Sequence, residues 1–349
     1  MKTALITGSG GLIGSACAAR LCAEGWAVTG LDNDLRAWFF GPGGSTAATV
    51  AALCRTWPHY THVRLDLRDR NAVRDLVVSL HPDFIIHTAA QPSHDRAAAI
   101  PAEDFDVNAG GTLNLLLAAH AAAPEAPFCF TSSNKVYGDR PNHLPLRELP
   151  TRFDYADGRT GIAEDMPVDQ CLHSLFGASK LAADVLCQEY GRYFHMPVGV
   201  FRGGCLTGPQ HAGVALHGFL NYLVRCAVQG GAYTVYGYQG KQVRDQIHAA
   251  DVAALFLQFY ASPRAGEVYN LGGGRANSLS VLEAIAALRE RGLVLQTSYR
   301  EQPRLGDHIC YISDLRKLRA HFPHWQLEYS LPRMLDEMVS AMTSARAAA

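Results

Sequence analysis

Three glycines set three residues apart, Gly8, Gly11 and Gly14, stand between a short apolar run and a helical pattern. That spacing suits an anion. Gly8 permits a tight turn, Gly11 lets backbone N–H groups approach a pyrophosphate at a helix N-terminus, and Gly14 allows the helix to pack closely on the strand. Leu12 and Ile13 belong to the same turn. Asp32 ends the next apolar run, where a carboxylate accepts both hydroxyls of a ribose and repels a 2′-phosphate. The pattern predicts a dinucleotide site that prefers NAD to NADP, with Arg36 as a nearby cation that softens the preference. Asn33, Asp66-Leu67 and Ala89-Ala90 follow successive strands and extend the same edge.

These residues need a frame, and the alternation of apolar runs with amphipathic segments supplies one. Thr3–Thr7, Trp26–Leu31, Val63–Leu65, Phe84–His87, Phe128–Ser132 and Pro197–Phe201 read as buried strands. Leu12–Glu24, Asn71–Leu80, Glu103–Ala122 and Ser174–Phe194 read as the helices between them. The expected fold is α/β: a Rossmann-type doubly wound parallel sheet with a smaller mixed α/β C-terminal substrate lobe. Residues 1–180 form the cofactor domain, with additions from about 181–205 and 240–270, and 205–343 form most of the substrate lobe. Gly138–Gln170 is a polar interruption. His217–Val228, Ser278–Arg291 and Pro332–Met342 are further helices, and Ser344–Ala349 is a flexible tail.

Composition narrows the function. A formal net charge of −1 over 349 residues gives no field for nucleic acid or anionic lipid. No run of apolar residues is long enough to span a membrane. The nine cysteines form no CxxC pair, which fits reduced thiols and a cytoplasmic location. Metal-ligand spacings, a GxSxG elbow and a GxxxxGKS/T loop are absent from the sequence.

Further blocks carry a resemblance: His87-Thr88-Ala89-Ala90, Val107-Asn108-Ala109-Gly110-Gly111-Thr112, Thr131 through Gly138, and Val243 through His248. With the glycine triplet, they resemble the extended short-chain dehydrogenases/reductases that modify nucleotide sugars, from about Lys2 to Asp314. Ser132-Ser133-Asn134-Lys135-Val136-Tyr137-Gly138-Asp139, His173-Ser174 and Gly240 through Asp245 look most like the CDP-paratose (CDP-tyvelose) 2-epimerases. The resemblance implies an NAD-dependent epimerase acting at C2 of a CDP-sugar. Ser133 would bond the reacting oxygen, Lys180 the nicotinamide ribose, and Arg244 and Arg304 the diphosphate. His94, Asn134 and Cys205 would face the sugar. It also implies a homodimer through a four-helix bundle of the Glu103–Ala122 and Ser174–Phe194 helices.

One position departs from the resemblance. The family's catalytic tyrosine precedes its lysine by four residues, which puts both on one helix face. Here that position, ahead of Lys180, is Phe176. A benzene ring exchanges no proton. Tyr137, His173, His94 and Cys205 are the candidates for a replacement base, and Lys135 is either a second substrate cation or a solvated lysine. Three readings stay open: another group serves as base, the chemistry is a different nucleotide-sugar transformation, or the protein binds without catalysis.

Overall fold

The computed structural model describes residues 1–210, 218–304 and 306–347. Its first half alternates strand and helix: β1 (Thr3–Thr7), α1 (Leu12–Ala23), β2 (Ala27–Leu31), α2 (Leu35–Phe40), α3 (Ala47–Thr56), β3 (Tyr60–Val63), α4 (Arg70–Leu80), β4 (Phe84–His87), α5 (His94–Ala99), α6 (Pro101–Phe105), α7 (Gly111–Ala122) and β5 (Phe128–Ser133). A small hairpin follows, β6 (Leu146–Glu148) and β7 (Phe153–Tyr155), and then the long α8 (Ser174–Tyr193), β8 (Val198–Gly203) and β9 (Cys205–Thr207). The last third holds α9 (Phe219–Gln229), β10 (Ala232–Tyr236), β11 (Val243–His248), α10 (Ala249–Ala261), β12 (Glu267–Leu271), β13 (Ser278–Ser280), α11 (Val281–Glu290), β14 (Gln296–Arg300), β15 (Cys310–Tyr311), α12 (Arg316–His321) and α13 (Leu331–Ala347).

Seven strands form one parallel sheet in the order β12-β8-β5-β4-β1-β2-β3. Its central strands are buried on both faces, as their near-continuous apolar runs require. One apolar core, with Ile6, Phe84, Phe201 and Phe256, lies under α1 and α10; the other, with Leu5, Ile85, Leu116 and Val200, lies under α4, α7 and α8. A third core, from Leu220, Val224, Leu279, Leu288 and Met338, belongs to the C-terminal lobe.

Several elements differ from their sequence expectation. The third strand lies over Tyr60–Val63 instead of Val63–Leu65, because its ladder to Val28–Leu31 sets the register at this exposed edge. The expected helix Glu103–Ala122 is interrupted by a π-helical turn at Asp106–Gly110. The turn surrounds Asn108, whose side chain bonds the backbone of Gln91 and the hydroxyl of Ser179. Ser278–Ser280 is a strand, and Ser280 then caps α11 in a reciprocal bond with Glu283. His217, the expected start of a helix, lies outside the described residues. The tail is helical through Ala347, and Arg346 reaches the Val228 carbonyl at 2.6 Å.

Candidate active site

Because the sheet is parallel, β1, β2, β4, β5 and β8 all end on the same edge, and a single cleft runs across it. At one end of the cleft the turn after β1 forms a cradle. Gly8 has φ +69°, and a Cβ there would lie 2.7 Å from the Ala89 nitrogen. Gly11 caps α1 and donates its N–H to the Gly8 carbonyl at 2.9 Å. A Cβ on Gly14 would lie 2.2 Å from the Gly8 carbonyl oxygen, a backbone atom with nowhere to go. The Asp32 carboxylate accepts from the Gly10 N–H (2.9 Å) and the Thr46 hydroxyl (3.0 Å), fixing the turn against the end of β2. Asn33 donates to Asp66 at 3.0 Å, and Arg68 grips the same carboxylate through two nitrogens. This bare backbone at a helix N-terminus, with a carboxylate beside it, fits the pyrophosphate and ribose of a dinucleotide.

The packing makes a prediction. Gly14→Ala must push α1 away from the Gly8 turn, and NAD affinity is expected to fall at least about tenfold, read by isothermal titration. An unchanged affinity would mean that the turn does not hold the pyrophosphate.

Ser133 is the last residue of β5, and Lys180 is presented by α8. Lys180 donates to the Thr131 carbonyl at 2.7 Å and lies 4.3 Å over the Phe130 ring; burial lowers its pKa to about 8. Phe176 sits on the same face of α8, only 6% exposed, with its ring 4.9 Å from that of His94. His94 is held at Nδ1 by the Ser174 hydroxyl at 3.1 Å. Burial, and then Lys135, lower its pKa to about 3, so the ring is neutral at pH 7.

Beyond the centre the cleft becomes cationic. Arg244 on β11 pairs with Asp307 at 2.6 Å, and Arg304 with Asp95 at 3.0 Å. Burial alone would raise the Asp307 carboxyl, but Arg244, Lys135 and Arg304 together hold it well below the usual carboxylate range. A second pocket shares Phe219, Arg244, Arg304 and Asp307 with the cleft and is walled by Tyr222, Tyr233 and Tyr236.

Of the residues expected from the sequence, Gly8, Gly11, Leu12, Ile13, Asp32, Asn33, Asp66, Leu67, Ala89, Ala90, His94, Ser133, Asn134, Phe176, Lys180, Cys205, Arg244 and Arg304 line this one cleft, whereas Gly14 lies behind it in the packing of α1 on the Gly8 turn. Two candidates for the missing base do not line it. Tyr137 is buried elsewhere, with its hydroxyl on Asn270, and His173 is tied to the Val168 carbonyl at 2.6 Å. Cys205 is in the cleft, but burial raises its thiol to about 11. Lys135 and Asp307 also line the cleft; the sequence offered Lys135 as a second substrate cation or a solvated lysine and assigned nothing to Asp307. A charge two residues after Ser133 was the visible signal for Lys135.

Residues 4–272 match the NAD dependent epimerase/dehydratase family. The chain belongs to that family. Its cofactor is NAD. The chain is 30% identical to a CDP-paratose 2-epimerase of Salmonella typhi, over 90% of this chain and 91% of that protein. It is also 30% identical to a UDP-glucose 4-epimerase of Neisseria meningitidis serogroup C, over 97% and 96% of the two chains. Among solved structures, a UDP-glucose-4-epimerase from Stenotrophomonas maltophila, with bound NAD and formylated UDP-arabinopyranose, superposes with a TM-score of 0.80 at 25% identity. That alignment covers 100% of both chains. Among the described residues, no helix is long and apolar enough to cross a membrane.

Proposed function

We propose that the protein is an NAD-dependent epimerase that inverts C2 of a CDP-linked sugar in the cytoplasm. The observation that carries this reading is the single cleft joining the glycine turn, the Ser133–Lys180 centre and the Arg244–Arg304 end. The CDP-paratose 2-epimerase relative supports the nucleotide and the carbon. When bound, NAD supplies an acceptor for the C–H electron pair of a carbinol and returns that pair to the opposite face. The chain's residues do the rest. Asp32 holds the adenosine ribose, Lys180 holds the nicotinamide ribose, and Ser133 bonds the reacting oxygen. His94, Asn134 and Cys205 shape the sugar site, and Arg244 and Arg304 grip the diphosphate through their planar donor forks.

The cofactor domain comprises residues 1–180 with later additions, including β8, α10 and β12, and 205–343 form most of the substrate lobe. Two further readings stem from Phe176: a different nucleotide-sugar reaction, such as dehydration, on the same scaffold, and binding without turnover. One experiment separates all three. The protein is incubated with CDP-, UDP-, GDP- and dTDP-sugars in deuterated water, and products are followed by NMR. A C2-inverted CDP-sugar without deuterium at carbon is expected. Deuterium at carbon would point to enolisation or dehydration, and tight binding without product to a binding protein.

The same reading includes a homodimer. Phe105, Leu117, Val185, Tyr193 and Phe194 are exposed on the α6–α7 and α8 segments, the helices that a four-helix bundle would pair. Light scattering is expected to give twice the chain mass at micromolar concentration. A monomeric mass would reject the dimer.

A further inference from the structure

Phe176 leaves the reaction without its proton acceptor, and the cleft holds few groups able to replace it. Lys180 is committed to the nicotinamide ribose in the reading above. Cys205 keeps its proton, and His94 resists taking one beside three cations. Lys135 remains. It lies on the turn that follows β5, two residues after Ser133, whose hydroxyl accepts the Lys135 backbone N–H at 3.2 Å.

That turn packs directly on α8 beside Phe176, since a Cβ on Gly177 would lie 2.8 Å from the Lys135 carbonyl. The Lys135 Nζ donates to the Gly306 carbonyl at 2.8 Å. Gly306 in turn abuts His94, whose ring touches Phe176. Lys135 and Phe176 therefore line one cleft from two segments that pack against each other.

We propose that Lys135 is the acid–base group of this active site, doing the proton transfer that Phe176 cannot. This inference rests on the epimerase reading above. As the free amine, Nζ takes the proton of the sugar hydroxyl. The O–H bond breaks, an N–H bond forms, and the oxygen's electron pair becomes the second bond of a carbonyl as the C–H pair departs to NAD. On return of that pair to the other face, the ammonium gives its proton back to the oxygen. Lys135 and the cofactor end as they began.

The surroundings make a free amine accessible near neutrality. Burial lowers the Lys135 pKa to about 8, opposed by Asp307 and aided by Arg244 and Arg304. The other titratable groups facing it are Cys205 on β9, His94 on α5 and His308 beyond the Gly306 turn. An acid–base catalyst works best when its pKa is near the operating pH.

The test uses the full-length protein with NAD and CDP-paratose. Lys135→Met and Lys135→Arg are expected to lower kcat about hundredfold or more, while the dissociation constants for NAD and CDP stay within about threefold. Arginine keeps the charge but cannot give up its proton, so Lys135→Arg separates base from cation. Adding Phe176→Tyr to Lys135→Met is expected to restore kcat about tenfold. Independently, lysine Nζ NMR, assigned by the signal missing from Lys135→Met, is expected to titrate near pH 8 instead of the ordinary 10.5. If Lys135→Arg keeps its kcat, if the loss is confined to CDP binding, or if the signal titrates at 10.5, Lys135 is not the base and the epimerase reading stands. If the wild type inverts no sugar, the epimerase reading fails and this inference falls with it, whatever the titration shows.

Discussion

Replacing Asp184 with alanine is expected to cost about 3–5 kcal/mol of folding stability, a large part of what a domain of this kind has. Asp184 is fully buried on α8, one turn beyond Lys180. Its two oxygens accept from Arg202 Nε and Nη2 at 3.0 and 2.9 Å, from the Ser132 hydroxyl at 2.6 Å and from Gln188 at 2.6 Å. One carboxylate therefore ties α8 to β8 and to the residue before Ser133. Removing it leaves the Arg202 guanidinium, itself 4% exposed, charged and unpaired over the Tyr137 ring. The cost is mainly that stranded charge. Arg202→Met alone should be similarly harmful, whereas Asp184→Leu with Arg202→Met should lose less than either single change, because no charge remains to be desolvated. Urea denaturation of the three variants reads this directly. Additive losses would show that the pair is not coupled.

The local parts of this design were legible in the sequence. The turn from Gly8 to Gly14, the acid at Asp32 and the buried central strands are all set by short-range chemistry. What stayed hidden depends on partners far along the chain. The π-helical turn at Asp106–Gly110 follows from Asn108 bonding Gln91 and Ser179, which no periodicity within the helix encodes. The edge strand β3 has one buried residue, so its apolar signal is weak and its register comes from β2. β14 is exposed along its whole length and, among the described residues, pairs with β10 alone, so nothing in its own pattern marks it as a strand. In the site, the phenylalanine four residues before Lys180 was plain from sequence. The environment of Lys135 was not, because Gly306, Asp307 and His308 reach it from 171 or more residues away.

Acidification is expected to weaken the fold well before most of its carboxylates are neutralised. Burial lowers the His87 pKa to about 3 and that of His308 well below its ordinary 6.5, and both rings are essentially inaccessible to water. His87 is wedged between the Thr7 and Thr112 hydroxyls, at 2.6 and 2.8 Å, and His308 bonds the Gly138 carbonyl. Burial also lowers His94 to about 3 and His248 to about 4. Each folded pKa lies below the unfolded value, so below pH 6.5 the unfolded chain binds protons that the folded one refuses. The stabilisation is complete above 6.5 and shrinks by about 1.4 kcal/mol per ring for each further pH unit.

Asp251 works in the opposite direction. Burial raises its pKa to about 6, so acid favours the folded state there, by about 1 kcal/mol between pH 7.5 and 5.5. His248 also counts for less than a full ring, since Glu337 lies 3.3 Å away and would welcome its charge. His87, His308 and His94 are expected to outweigh this and the raised carboxyls of Asp104, Glu164 and Asp245, so that stability falls over the interval. Urea midpoints at the two pH values test it, and a flat or rising stability would show that the rings are not held neutral. His94, with its pKa lowered to about 3, stays uncharged in the folded protein across this interval, so it adds no repulsion to Lys135, Arg244 and Arg304 at the cationic end of the cleft.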